Sequence, residues 1–142
     1  VLQFLLDSWA IRQAGRSTSS LGRAGEVVAA RTLRRSGYRI LGRNLHVPMG
    51  EADLLCLDPD RETIVLVEVK TRQIAEGSDS AYLPPEAAIT AEKREKLRKI
   101  LRHLLRANRW ASRRARIDVL AVDWRSAEKP LVRHHRDAVA FQ

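Results

Sequence analysis

Glu68 and Lys70 stand two residues apart in Val65-Leu66-Val67-Glu68-Val69-Lys70, a run otherwise made of residues that build buried strands. Side chains alternate faces along a strand, so the carboxylate and the ammonium point the same way while Val67 and Val69 pack on the other side. Upstream, Gly50-Glu51-Ala52-Asp53-Leu54-Leu55-Cys56-Leu57 is a second apolar run with carboxylates two residues apart, and Asp58-Pro59-Asp60-Arg61 supplies turn residues between the runs. A hairpin folded about residues 60 and 61 sets Asp53 opposite Glu68 and Glu51 opposite Lys70, so three acids and a lysine are expected to converge on one face.

Carboxylates grouped on a rigid sheet suit a hard cation such as Mg²⁺, which takes oxygen ligands and keeps several waters. A cation so held polarises a phosphodiester and activates water, and a neighbouring lysine orients the nucleophile or offsets charge growing on phosphorus. Without a cation the acids raise one another's pKa, relieved in part by Lys70. A Glu-x-Lys alone is weak evidence in a chain with 30% charged residues. Its setting in two hydrophobic runs of one hairpin favours metal binding or catalysis over the remaining alternative, a structural ion pair.

The elements that must position these groups follow from the rest of the pattern. Residues 1–20 mix a short apolar segment with Gly15-Arg16-Ser17-Thr18-Ser19-Ser20 and read as a flexible extension, leaving 21–142 as one domain. Leu21 to Ser36 has helical apolar spacing (Val27, Val28, Ala30, Leu33) and stops at Gly37. Tyr38-Arg39-Ile40-Leu41 reads as a short strand, and Gln73 to Pro85 as a loop that could contact substrate. A helix is expected from about Pro85 to Asn108, with Ile89, Lys93, Leu97, Ile100, Leu101, Leu104 and Leu105 as its inward stripe. Arg116 to Val122 is a further strand, and an extended tail begins at Lys129.

Composition bounds the partners. With 26 Lys plus Arg against 17 Asp plus Glu, the formal charge is +9 and the pI about 10.7, which favours a polyanion, nucleic acid first. Aromatic residues make up only 5%, so backbone contacts should outweigh base stacking. From Lys93 to Arg116 there are 11 Lys or Arg and one acid, Glu95, a candidate phosphate track; Arg72 is a second candidate contact. A lone cysteine, Cys56, excludes an internal disulfide and points to a reducing, cytoplasmic setting. The opening Val1-Leu2-Gln3-Phe4-Leu5-Leu6 is too short for a membrane span and lacks a signal peptide's basic start. Asp118 could support a ligand or be a paired structural acid, His134-His135 on an extended tail would diverge from a shared metal, and Trp110 and Trp124 read as packing residues.

In these blocks the chain resembles the restriction-endonuclease-like PD-(D/E)xK nuclease superfamily, and more closely its YraN-type endonuclease family. The resemblance runs from Gly22-Arg23-Ala24-Gly25-Glu26-Val27-Val28-Ala29 through Gly37-Tyr38-Arg39-Ile40-Leu41 and Asn44 to Gly50-Glu51-Ala52-Asp53-Leu54-Leu55 and Val67-Glu68-Val69-Lys70-Thr71-Arg72; Lys93, Arg116-Ile117-Asp118-Val119 and the ending His134 to Phe141 continue it. Ala52 stands where the superfamily name has proline, and Ser80 to Pro85 lacks the Phe-Gly pair expected there. The resemblance implies an α/β core, a mixed central sheet flanked by helices. It implies Asp53 and Glu68 as ligands of Mg²⁺ or Mn²⁺, Lys70 completing the catalytic site, and Glu26 joining from the first helix as in archaeal Holliday-junction resolvases. From residue pattern alone Glu26 is one acid on an amphipathic helix. The expected activity is endonucleolytic hydrolysis of DNA, branched or structured DNA included, with Arg72 and Lys93 contacting it and a symmetric dimer favoured. The alternative is a noncatalytic nucleic-acid-binding accessory protein whose acid cluster is structural.

Overall fold

The computed structural model describes the backbone of residues 12–13 and, with side chains, residues 20–75, 89–125 and 129–142. Most of the expected extension over 1–20 and of the loop between Gln73 and Pro85 lies outside the described residues. Eight elements follow in the order β1 (Arg12–Gln13), α1 (Ser20–Arg35), β2 (Arg39–Val47), β3 (Gly50–Leu57), β4 (Ile64–Gln73), α2 (Ala91–Ala107), β5 (Ala115–Trp124) and β6 (Leu131–Val139). The class is α/β, as the sequence implies: one mixed sheet with its strands in chain order, antiparallel except where β5 runs parallel to β4. Parallel neighbours cannot be joined by a tight turn, and α2 makes that crossover. No helix among the described residues is long and apolar enough to cross a membrane.

Alternation along β4 divides the core. Ile64 and Leu66 face a cluster with Leu97, Ile100, Leu101 and Leu104 of α2, while Val65 and Val67 face a second cluster with Ala29, Ala30 and Leu33 of α1. Each fully buried aliphatic chain contributes about 1.5–3 kcal/mol, so both helices are fixed chiefly by these stripes. Helix α1 ends as Gly37 predicts. Gly37 has φ 90° and donates its N–H to Arg34 O, and Tyr38 N–H returns to Leu33 O, each at 3.0 Å.

Three elements differ from expectation. Helix α2 starts at Ala91 rather than near Pro85, because Thr90 is extended (ψ 157°) and its Oγ1 caps the helix by accepting from Lys93 N–H at 3.1 Å. Ile89 is buried just ahead of it. Strand β2 is nine residues long rather than four, and a register shift between Ile40 and Gly42 together with a left-handed Asn44 (φ 48°) breaks the alternation that would reveal it. The C-terminal tail is an edge strand, β6, antiparallel on β5. The β3–β4 register is the expected one, with Leu54 opposite Val67 and Leu57 opposite Ile64.

Candidate active site

The paired ladder between β3 and β4 stops at Leu54 and Val67, one residue short of Asp53 and Glu68. Beyond it, Asp53 Oδ2 accepts the Val69 N–H at 2.7 Å, so a side chain replaces a ladder carbonyl and the two strands part. Alternation in β3 fails at the same place. Ala52 and Leu55 both join the α2-side cluster, and across the strand the β2 ladder passes from Arg43 opposite Leu54 to Leu45 opposite Ala52, skipping Asn44 and Asp53. The Asp53 carboxylate is thereby turned toward β4.

Into this gap opens a cleft of about 310 Å³ lined by Leu21, Gly22, Glu26, Asp53, Glu68, Val69, Lys70 and Thr71. Three elements supply its charges: Glu26 from α1, Asp53 from β3, and Glu68 with Lys70 from β4. Lys70 Nζ lies 3.6 Å from Glu68 Oε1, and Lys93 Nζ of α2 lies 3.3 Å from the same oxygen. Glu68 is buried, and its Oε2 has no hydrogen-bond partner among the described residues.

Burial, the Glu68 carboxylate and Glu26 push the Asp53 carboxyl up to about 7, against the Val69 N–H and Lys93, which lower it. Glu26 is raised as well, by burial first and then by Glu68, with Arg43 opposing. Cys56, fully buried on β3, is pushed up to about 12 by burial, which makes it a packing residue.

The donor set fits a hard divalent cation. Three carboxylates, Glu26, Asp53 and Glu68, meet two ammonium groups, one buried oxygen is unpartnered, and the remaining positions of an octahedral ion belong ordinarily to water and substrate phosphate. Among the described residues no three His, Cys, Asp or Glu side chains are grouped so as to hold a metal ion by themselves, so the protein would supply only part of a coordination sphere here.

The expected site residues thus divide. Asp53, Glu68, Lys70 and Glu26 line one cleft. Glu51 does not join them: the β3–β4 ladder stops at Leu54, so Glu51 no longer lies opposite Lys70, and it is exposed with its Oε1 3.3 Å from Nδ1 of His46, its partner on β2. Lys93, expected as a nucleic-acid contact, stands on Glu68. Its signal was a lysine in an otherwise apolar helix stripe. Arg72 lies outside the cleft lining; its guanidinium grips buried Asp123, Nε to Oδ1 at 3.0 Å and Nη2 to Oδ2 at 3.3 Å. Asp118 is a paired structural acid, accepting from Arg116 Nε at 2.9 Å and Asp137 N–H at 2.9 Å, with His134 Nε2 at 2.8 Å. Gly25 belongs to the first block of the family resemblance, but the residue pattern assigns it no role. A Cβ there would run into Thr71, so its absence is what lets α1 bring Glu26 down to the cleft.

The profile of the uncharacterised protein family UPF0102 matches residues 25–122, which include every charged group of the cleft. Among individual proteins, the chain is 36% identical over 117 residues to a UPF0102 protein of Desulfosudis oleivorans, covering 82% of this chain and 89% of that one. It is 38% identical over 121 residues to one of Beutenbergia cavernae (85% and 97%) and 41% identical over 109 residues to one of Syntrophus aciditrophicus (75% and 80%).

Proposed function

The chain belongs to the UPF0102 family, the YraN-type nuclease-like group, and on that premise we propose that it is a metal-dependent phosphodiester hydrolase acting within nucleic acid, DNA in the first instance. One observation carries the reading: Glu26, Asp53, Glu68 and Lys70 converge from three elements on a single cleft where β3 and β4 part. Asp53 and Glu68 are the residues that would hold Mg²⁺ or Mn²⁺. When bound, the cation supplies Lewis-acid polarisation of the phosphodiester and lowers the pKa of water. Lys70, one-third exposed, reaches from Glu68 toward the open side of the cleft, where its ammonium orients an attacking water and offsets charge growing on phosphorus. Glu26, with a raised proton affinity, is suited to exchange a proton with that water. Branched DNA as the preferred form rests only on the resolvase-like pattern.

The second reading is a noncatalytic nucleic-acid-binding protein. It is favoured by the two ammonium groups already on Glu68, which make part of the acid cluster a neutralised ion-pair network. Purified wild type, Asp53→Ala and Lys70→Ala, incubated with labelled linear, flapped and four-way DNA in Mg²⁺, Mn²⁺ or EDTA, separate the two. Divalent-dependent cutting by wild type, lost in both variants while affinity for DNA persists, is the expected result. Binding without cutting on every substrate would leave the accessory reading standing.

A further inference from the structure

At least five of the eleven basic residues from Lys93 to Arg116, the obvious phosphate track in sequence, are engaged within the fold. Lys93 is on Glu68 at 3.3 Å, Arg98 donates to Ala140 O at 2.7 Å, the Arg102 guanidinium lies 5.7 Å from the centre of the Phe141 ring, Arg114 is on Glu62, and Arg116 is on Asp58 at 2.7 Å. Helix α1 is different. It carries Arg23, Arg31, Arg34 and Arg35 against one acid, Glu26, which lines the cleft. All four arginines are exposed, and among the described residues Arg31 and Arg35 make no ion pair. Between α1 and the start of β6 runs a groove of about 400 Å³ lined by Val28, Arg31, Thr32, Arg35, Lys129 and Val132, with no carboxylate in its described lining.

We propose that this groove is a second phosphate-backbone contact, which takes a nucleic-acid strand on the flank of α1 away from the cleft. Three cations with no ion pair among the described residues, around a concave surface whose described lining holds no carboxylate, match a polyanion in sign. Arg31 and Arg35 are one helical turn apart, a rise of about 6 Å, comparable with two nucleotide steps of about 3.4 Å. Because Glu26 and these arginines share one helix, a strand in the groove and a phosphodiester in the cleft are held in fixed relation. The choice of nucleic acid as the polyanion rests on the functional reading above; the charge complementarity does not. An acidic membrane surface fits less well, because the apolar stripe of α1 is spent on the sheet.

The test is equilibrium binding of blunt duplex DNA in EDTA over a salt series, comparing wild type, Arg31→Ala/Arg35→Ala/Lys129→Ala and, as a control for charge alone, Lys99→Ala/Arg106→Ala on the exposed side of α2. Each lost phosphate contact should flatten the dependence of log K on log salt by about 0.9, so the triple variant should lose roughly 2–3 from the slope. The control should lose much less per charge removed. Thermal melting of each variant separates this from misfolding, since the substituted side chains are solvent-facing. An unchanged slope in the triple variant, an equal loss per charge in the control, or a wild type that prefers anionic vesicles to DNA would each overturn the groove. A flattened slope with no cleavage by wild type keeps the groove and discards the hydrolase; cleavage with an unchanged slope does the reverse.

Discussion

At the scale of the residue, what makes the cleft chemically distinctive is charge that its surroundings only partly offset. Asp53 at about 7 instead of 3.8 means that the folded chain holds a proton the unfolded chain would release. A carboxyl raised on folding destabilises once ionised, so this penalty is absent below about pH 4, grows between about 4 and 7, and is full above. Asp53→Asn should therefore raise the melting temperature at about pH 8 in EDTA and change it little at about pH 4. An equal shift at both values would count against the assignment. Divalent ions should stabilise wild type at the higher pH and leave the variant nearly unaffected. Lys93 holds Glu68 from across the core, so Lys93→Met should bind Mn²⁺ a few-fold more tightly by calorimetry without DNA, and weaker binding would argue that Lys93 builds the site instead of competing for it. Asp53, Glu68 and Lys70 were legible as charges inside hydrophobic runs. Glu26 was visible only through family resemblance, because an acid on an amphipathic helix is ordinarily solvated. Glu51 belongs to the cleft only if the β3–β4 pairing continues past Leu54, and there it gives way to the bond from Val69 N–H to Asp53.

At the scale of the element, the site depends on how closely α1 approaches β4. Glycine inside a helix ordinarily costs about 0.5–1 kcal/mol relative to alanine. At Gly25 the sign should reverse, since a methyl group there meets Thr71 and must push helix from sheet. Gly25→Ala should destabilise by about 1–3 kcal/mol in chemical denaturation, and adding Thr71→Ala should recover part of it. A stabilised single variant would mean that α1 adjusts freely and that Glu26 has no fixed distance to the cleft. Element boundaries were legible where one residue type decides them. Gly37 ended α1 on cue, and the β3–β4 turn set the register of the hairpin. Thr90 is masked as a cap because the apolar Ile89 beside it continues the helical pattern, although Ile89 packs ahead of the helix. Strand β2 reads as shorter than it is because Gly42, Arg43 and Asn44 hide the inward Leu45 and Val47.

At the scale of the whole molecule, buried charge ties distant segments together. Asp118 joins β5 to β6 through His134 and the Asp137 N–H, while Arg116 extends the link to Asp58 beyond β3 and to the Tyr38 hydroxyl after α1. Burial alone would raise the Asp118 carboxyl, but the bonds from His134, Arg116 and Asp137 outweigh it and the net is below the ordinary value. Its stabilising share is then present above about pH 4 and lost as pH falls. Asp118→Asn should cost about 3–5 kcal/mol at neutral pH by leaving Arg116 poorly matched, and should flatten the acid limb of the stability curve. A variant as stable as wild type would show that the network is dispensable. The α/β class and the mixed sheet between two helices follow from the family resemblance, whereas the network does not, because its members are scattered along the chain and only the β5–β6 pairing assembles them. The crossover through α2 has a kinetic side. The β2–β3–β4 meander makes contacts close in sequence and should form early, but parallel pairing of β5 on β4 must wait for the intervening segment to be closed into place. Lys93 reaches Glu68 only when that closure is made. Mutations along the meander should thus slow folding, while mutations in the α2 interface mainly speed unfolding. The acid cleft gains its last charged neighbour at the end of the pathway, so a chain caught midway carries Asp53 and Glu68 on a formed hairpin with one ammonium fewer to restrain them.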